Sequence, residues 1–354
     1  MRVLVAMSGG VDSSVAAALL AQAGHEVVGA TLKLWGGESD TGCCSVADVD
    51  DARRVAQQLD IPHYVFEMTS EFDARVVEPY VAAHRGALTP NPCIECNRHI
   101  KFGHLVERAR RLGFDAIATG HHARVTKGSG RVPHQLRRGT DRDKDQSYVL
   151  SMLGQDVLGA LVLPVGEMTK PAARARGMEL GLRTASKPDS QDVCFIGRAE
   201  GRAGFLGRRI EVHPGTLVEA RSGAVLGTVD AVELVTVGQR RGIPLAPDGA
   251  KRYVASVDAR SRTVMVGTQA QVATTRVDLR ATSVSWVGAP VPDGGRTLAQ
   301  MSAHGRPSHC HISFCEETLV LGFDEAVRPV APGQTVALYD AQDPDQVVGG
   351  GIAT

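Results

Sequence analysis

The sequence predicts an α/β N-terminal domain, a parallel sheet with helices on both faces, followed by two small mostly-β domains. Three observations carry this. Apolar runs alternate with helical patterns over the first 120 residues, and a Gly-rich turn follows the first run directly. After about residue 200 the chain becomes short Val/Thr-rich runs broken by Gly, Pro and Asp. The domains expected are 1–203, 204–272 and 273–354.

Val3–Met7 reads as a buried strand, and Val15–Leu20 as a helix closed by Gly24. Val27–Leu34 is the second strand, Asp50–Leu59 a helix and His63–Phe66 the third strand. Helical patterns cover Asp73–His84 and His99–Leu112, and Asp115–Thr119 is a strand ending in Gly120. Ligands in such sheets sit beyond the carboxyl ends of the strands, where the Gly-rich loop, Leu32 and Gly120 lie. Arg124–Arg138 reads as a hairpin with Lys127-Gly128-Ser129-Gly130 at its turn, and helical segments continue to about residue 182. Thr216–Glu219, Val232–Val237, Tyr253–Asp258, Thr263–Val266, Val277–Val287 and Thr335–Tyr339 give the β texture, consistent with small barrels.

The 354 residues suffice for two or three domains. No apolar run approaches the roughly 20 residues of a membrane helix, and the N-terminus lacks the regions of a signal peptide. A cytoplasmic location is expected. Seven cysteines, an odd number, argue against a disulfide framework. The formal net charge is zero, but residues 101–144 hold eleven Lys/Arg against four Asp/Glu. The last 35 residues hold five Asp/Glu against one Arg. The basic segment is either a face that neutralises nucleic-acid phosphates or a solvated surface with surplus arginines.

Ser8-Gly9-Gly10-Val11-Asp12-Ser13-Ser14 stands between a strand and a helix. Its glycines let backbone approach a ligand closely, and the helix start attracts phosphate. Ser13 and Ser14 can donate hydroxyl bonds. Asp12 would repel phosphate unless it meets Mg²⁺ or a basic partner. No Lys-Ser/Thr ending follows, so this is not a Walker A loop. The loop resembles the PP-loop of the ATP pyrophosphatases, which cleave ATP to AMP and pyrophosphate.

Thr89–Arg98 contains Pro90, Pro92, Cys93 and Cys96, and reads as an irregular loop leading to a helix near Arg98. A helix start with Arg98, His99 and Lys101 nearby would favour the Cys96 thiolate. Lys187–Ile196 carries a second loop cysteine, Cys194. One such cysteine alone reads first as a buried filler; two loop cysteines with basic or polar neighbours put a catalytic role level with that reading.

With Ala118-Thr119-Gly120-His121, Asp143–Tyr148, Thr236–Gly242, Pro332-Gly333-Gln334 and Gly349–Ile352, these stretches resemble the bacterial tRNA-specific 2-thiouridylases in the same order along the whole chain. The resemblance implies a PP-loop (HUP-like) domain using ATP with Mg²⁺ to adenylate the wobble uridine of tRNA. Cys194 would carry the sulfur as a persulfide received from a sulfur-relay or cysteine desulfurase donor. Cys96 would be the nucleophile that releases it. ATP would contact Ala6, Met7, Ser8, Gly9, Gly10, Val11, Asp12, Ser13, Leu32 and Gly120. His121, Lys144, Asp145, Gln146 and Gln334 would meet tRNA. The competing readings are another AMP-forming PP-loop synthetase, which needs neither cysteine, and a non-catalytic tRNA-binding protein.

This sequence departs from that pattern in three places. Cys93 stands where many members have Asp, so Cys93, Cys96 and Cys194 together raise a [4Fe–4S] cluster, a zinc site or a spare redox partner as alternatives to persulfide chemistry. His122 replaces a usual Tyr. Gln300–His304 lacks the usual Arg-Tyr pair, which shifts the expected tRNA contact there toward Arg306. Cys43 and Cys44 read as structural or incidental, and Cys310 and Cys315 as packing residues.

Overall fold

The computed structural model describes every residue except 36–44, 131, 190–192 and 198; Cys43 and Cys44 therefore lie outside the described residues. The N-terminal sheet is parallel, in the order β3-β2-β1-β4-β7. Its strands are β1 (Arg2–Ala6), β2 (Glu26–Lys33), β3 (His63–Glu67), β4 (Ala116–Thr119) and, as a short fifth strand that periodicity did not reveal, β7 (Leu161–Val162). Successive strand residues face opposite sides. Val3 and Val5 join one apolar cluster and Leu4 another, and all three are fully buried. Both faces are thus covered by apolar packing, as a parallel sheet requires.

Helix α1 (Val11–Gln22) packs Val15, Ala16, Ala17 and Ala18 with no exposure at all. Small side chains bring its axis close to the sheet, which fixes the loop at its N-terminus. Helix α2 (Val46–Gln58) starts at Ser45, whose hydroxyl accepts from the Asp48 N–H.

The structure corrects the reading of the first cysteine motif. A helical turn begins at Pro92, not near Arg98: Asn91 caps Pro92–Glu95, accepting from the N–H groups of Cys93 and Ile94. Proline at the first helical position costs no hydrogen bond there. The chain continues as a π-helix over Cys96–His104 and then an α-helix over Leu105–Arg111. Cys93, not Cys96, therefore occupies the helix start.

Residues after 200 form two β units. One is four-stranded, β10-β11-β8-β9, from β8 (Gly215–Glu219), β9 (Val225–Val229), β10 (Arg252–Asp258) and β11 (Thr263–Thr268). Val232–Val237, expected as a strand, instead contains a 3₁₀ turn at Val232–Leu234, which buries Val232 and Glu233. The other runs β12-β16-β15-β14-β17-β18-β6-β5. It holds β12 (Thr274–Arg280), β14 (Arg296–Gln300), β15 (Ser308–Cys315), β16 (Thr318–Val327), β17 (Thr335–Asp340) and β18 (Gln346–Ile352), with β13 (Ser285–Trp286) paired to β18.

The hairpin β5 (Ala123–Ser129) and β6 (Val132–Arg138) belongs to this C-terminal sheet, because Gln346 and Val347 pair with Arg137 and Leu136. Cys310 is buried in that sheet's core, whereas Cys315 is exposed at a strand end. No helix among the described residues is long and apolar enough to cross a membrane.

Candidate active site

The Gly-rich loop sits at the carboxyl end of β1. Gly9 takes a positive φ of 71° and packs against the backbone of Asp48 at the start of α2. Gly10 is the N-cap of α1 and makes no side-chain capping bond, so the helix presents N–H groups that an anion can accept. Ser14 Oγ donates to the Gly10 carbonyl at 2.8 Å, and Ser13 Oγ lies 3.2 Å from the same oxygen. Gly120 closes the loop from β4: a Cβ there would stand 2.5 Å from Ser13 N and 2.7 Å from Asp12 C. Ala6 ends β1, Met7 and Val11 are buried at the loop's two ends, and Leu32 is buried near the end of β2.

Asp12 has two basic partners. Lys170 Nζ donates to Oδ2 at 2.6 Å and His122 Nε2 to Oδ1 at 3.1 Å. Burial pushes the Asp12 carboxyl up, but the bonds from His122 and Lys170 outweigh it and leave it below the usual carboxylate range. His122 is 3% exposed, and its Nδ1 has no hydrogen-bond partner among the described residues. Both backbone groups of His122 are held by Gln146: its Oε1 accepts from His122 N at 2.9 Å, and its N–H donates to His122 O at 2.9 Å.

Neither Lys170 nor His122 was a candidate from sequence. Lys170 opens the helix Lys170–Glu179, and its only signal was the requirement that Asp12 find a cation.

Lys170 also reaches the second cysteine motif, at 2.9 Å from Asp189 Oδ1. Asp189 takes Lys144 at 3.0 Å and Arg174 at 2.5 Å as well. Burial raises the Asp189 carboxyl, but Lys170 and Lys144 hold it at about 2. Two residues earlier, Lys187 Nζ donates to the Gly9 carbonyl at 2.9 Å, to Asp48 at 2.6 Å and to Asp51 at 2.7 Å. The segment leading to Cys194 is thus tied directly to the Gly-rich loop.

Cys96 is a buried member of the large apolar cluster, and Cys194 packs against that same cluster. Its neighbour Phe195 is the anchor, 1% exposed with its ring against Phe72, Tyr80 and Phe205. Cys93 is exposed. Among the described residues no three His, Cys, Asp or Glu side chains are gathered to hold a metal ion. Cys93, Cys96 and Cys194 therefore do not fit a [4Fe–4S] cluster or a zinc site as they stand.

The residues expected to meet tRNA fall into different surroundings. Lys144 is exposed and paired with Asp189. His121 is buried with its Nδ1 2.7 Å from Thr119 Oγ1, and burial first, then the Lys101 charge, pushes its imidazole well below the usual range. Asp145 is 5% exposed and takes Arg138, the Gly139 N–H and the Ser147 N–H and hydroxyl. Gln334 follows Gly333, whose positive φ of 89° lets the turn pack against Leu88 and Thr89. The Thr89 N–H donates to Pro332 O at 2.8 Å, so this C-terminal turn abuts the approach to Cys96.

Part of the basic segment is neutralised inside the molecule. Arg137 pairs with Asp343 at 2.7 Å, Arg124 with Asp345 at 3.2 Å and Arg142 with Asp345 at 2.5 Å. Arg138 pairs with Asp145 at 2.7 Å, bonds Gln300 at 2.7 Å and lies 3.8 Å over the Tyr339 ring. Gln300 thereby has a structural task in the stretch that lacks the Arg-Tyr pair. Three arginines of the segment, Arg124, Arg137 and Arg142, thus clamp onto the acidic C-terminal loop.

Comparison with known proteins agrees with this architecture. Residues 1–198 match the family described as tRNA methyl transferase HUP domain. Residues 203–268 match the tRNA methyl transferase PRC-barrel domain, and 276–353 the aminomethyltransferase beta-barrel domain. Among curated relatives, the tRNA-specific 2-thiouridylase MnmA of Mycobacterium avium is 45% identical, covering 98% of this chain and 96% of the relative. That of Mycobacteroides abscessus is 44% identical over 100% and 99%, and that of Salinispora tropica 42% identical over 96% and 94%.

Proposed function

The chain belongs to the tRNA-specific 2-thiouridylase family, and on that footing we propose that it replaces the 2-oxygen of the wobble uridine of tRNA with sulfur, using magnesium-bound ATP. The observation that carries the reading is the ionic tie from Asp12 through Lys170 to Asp189, which joins a phosphate-binding loop to the segment bearing Cys194.

The uridine O2 attacks the α-phosphate of ATP, pyrophosphate leaves, and the oxygen becomes part of an AMP leaving group. Ala6–Ser13, with Leu32 and Gly120, form the nucleotide site. The uncapped start of α1 faces the phosphates, and Lys170 supplies a cation beside them. Magnesium arrives with the nucleotide.

A sulfur-relay or cysteine desulfurase donor loads Cys194 as a persulfide. The terminal sulfur attacks C2 of the adenylated uridine and AMP departs with the C–O bonding pair. The Cys96 thiolate then attacks the Cys194 sulfur. The S–S bond breaks toward the nucleoside, which leaves as 2-thiouridine, and a Cys96–Cys194 disulfide remains for an external thiol to reduce. Burial of Cys96 and the shared apolar cluster keep water from competing for the persulfide. His121, Lys144, Asp145, Gln146 and Gln334 are assigned to tRNA; for Asp145 the contribution is to hold the Gly139–Ser147 loop in shape.

The domains are taken as 1–203, 204–272 and 273–354. A location in the cytoplasm, with tRNA and ATP, suits this chemistry. Nucleoside analysis of bulk tRNA from cells lacking the protein tests the function: 2-thiouridine should disappear and return with the wild-type chain, and normal levels without the protein would sink the reading.

A further inference from the structure

The Thr236–Gly242 motif has no part in the chemistry above, yet it builds one wall of a cleft of about 390 Å³ in the central β unit. The cleft is lined by Arg240, Arg241, Ile243, Leu245, Lys251 and Arg252. Four of the six are cations and none is an acid. Arg240, Arg241 and Lys251 are exposed, and among the described residues no carboxylate forms an ion pair with any of these three, while Glu219 lies in the field of Arg252. In the 101–144 segment, by contrast, Arg124, Arg137, Arg138 and Arg142 are paired with acids.

The loop that presents these charges is held in shape. Gln239 bonds Thr236 N at 3.2 Å with its carbonyl oxygen and donates to Arg241 O at 2.8 Å with its amide nitrogen. Gly238 N donates to Val254 O at 2.8 Å, and Val254 N to Gln239 O at 2.9 Å, so the loop is pinned to β10. Gly238 and Gly242 take positive φ values of 83° and 79°, which reverse the chain on either side of Arg240 and Arg241. Arg252, 8% exposed, donates to Leu245 O at 2.8 Å and closes the floor. Unneutralised cations on a rigid loop repel one another, and an anion of spaced charges relieves that repulsion.

We propose that this cleft is a second tRNA-contact site, which takes backbone phosphates of the substrate away from the reacting uridine. The proposal rests on the thiolation reading, because it requires an RNA substrate. The Arg240 and Arg241 guanidiniums and the Lys251 ammonium bind phosphate oxygens; Arg252 sets the loop and does not reach the RNA. Such contacts carry affinity without base specificity. They act on KM, since the same phosphates are bound in ground state and transition state.

The test is the full-length chain carrying Arg240→Glu, Arg241→Glu and Lys251→Glu together, with an Arg240→Gln, Arg241→Gln, Lys251→Gln version in case the reversed set fails to fold. Filter binding of unmodified tRNA over a salt series needs no catalysis, so it reads separately from the thiolation assay. Dissociation constants should rise at least tenfold, and the slope of log K against log salt should fall by about 2. Turnover at saturating tRNA should stay within twofold. A folded variant with unchanged affinity and salt slope overturns the proposal. So does unchanged tRNA binding with slowed sulfur loading of Cys194, which would assign the cleft to an acidic donor protein. If the wild type binds tRNA but never thiolates it, the function fails and the binding comparison still stands.

Discussion

Lys170 Nζ stands 2.6 Å from Asp12 Oδ2 while also lying 2.9 Å from Asp189 Oδ1. One ammonium, 10% exposed, therefore serves the Gly-rich loop and the segment leading to Cys194 at once. Removing it leaves Asp12 with His122 alone and Asp189 with Lys144 and Arg174, and takes away the one cation that stands between the two carboxylates. Lys170→Met should cost about 3 kcal/mol of stability and lower tRNA-dependent pyrophosphate release about a hundredfold. Lys170→Arg should recover the melting temperature but not the rate, since a planar fork cannot replace a compact ammonium between two acids. Full pyrophosphate release by Lys170→Met would remove Lys170 from the reaction.

Gly120 has no room for a side chain on the side facing the loop. A methyl group there meets Ser13 N at 2.5 Å and Asp12 C at 2.7 Å, both backbone atoms that cannot rotate away. Gly120→Ala should displace the start of α1 and weaken ATP binding at least tenfold. Calorimetric titration with a non-hydrolysable ATP analogue checks this; wild-type affinity would show that the loop does not hold the nucleotide.

Asp189 gives the acid limb of stability a specific shape. Its folded carboxyl titrates at about 2, below the usual 3.8. A depressed folded value means that its stabilisation is complete above about pH 4 and disappears as pH falls toward 2. Thermal melts from pH 6 to 2 should show a steeper loss for the wild type than for Asp189→Asn, whose melting temperature is already lower at pH 6. Parallel curves would mean that the cations around Asp189 do not stabilise the fold.

The clamp between the hairpin and the C-terminal loop should be felt as stability. Arg138 is 12% exposed, pairs with Asp145 and lies over the Tyr339 ring. Arg138→Ala removes the counter-ion of the 5%-exposed Asp145 carboxylate, leaving it only its hydrogen bonds from Gly139 and Ser147, and should cost about 3 kcal/mol. Differential scanning calorimetry measures it, and a drop of less than about 1 kcal/mol would assign Arg138 a surface role.

Much of the fold was legible because its signals are local. The apolar runs of β1, β2 and β4, the Ala-rich α1 and the glycines of the loop all declare themselves within a few residues. What escaped depends on distance along the chain. Asp12's need for a cation was visible; that Lys170, 158 residues away, supplies it was not. The positive surplus of 101–144 is real in composition, but Asp343 and Asp345 offset part of it from about 200 residues further on. A window count adds charges without knowing which ones meet. The helix start at Pro92 escapes for a local reason: proline in sequence reads as a breaker, whereas after Asn91 it is a favoured first residue. The strand expected at Val232–Val237 failed because burial of Glu233 against His213 turned the chain there instead.

The central claim is that ATP activates the uridine and Cys194 delivers the sulfur, and one reconstituted reaction tests it. Wild-type and Cys194→Ser chains are incubated with unmodified tRNA, ATP, Mg²⁺ and a persulfide donor, and AMP and 2-thiouridine are quantified from the same tube. The wild type should form one AMP per 2-thiouridine at the wobble position, and Cys194→Ser should form none of the thiolated nucleoside. Equal 2-thiouridine from Cys194→Ser, or ADP in place of AMP, would contradict the account.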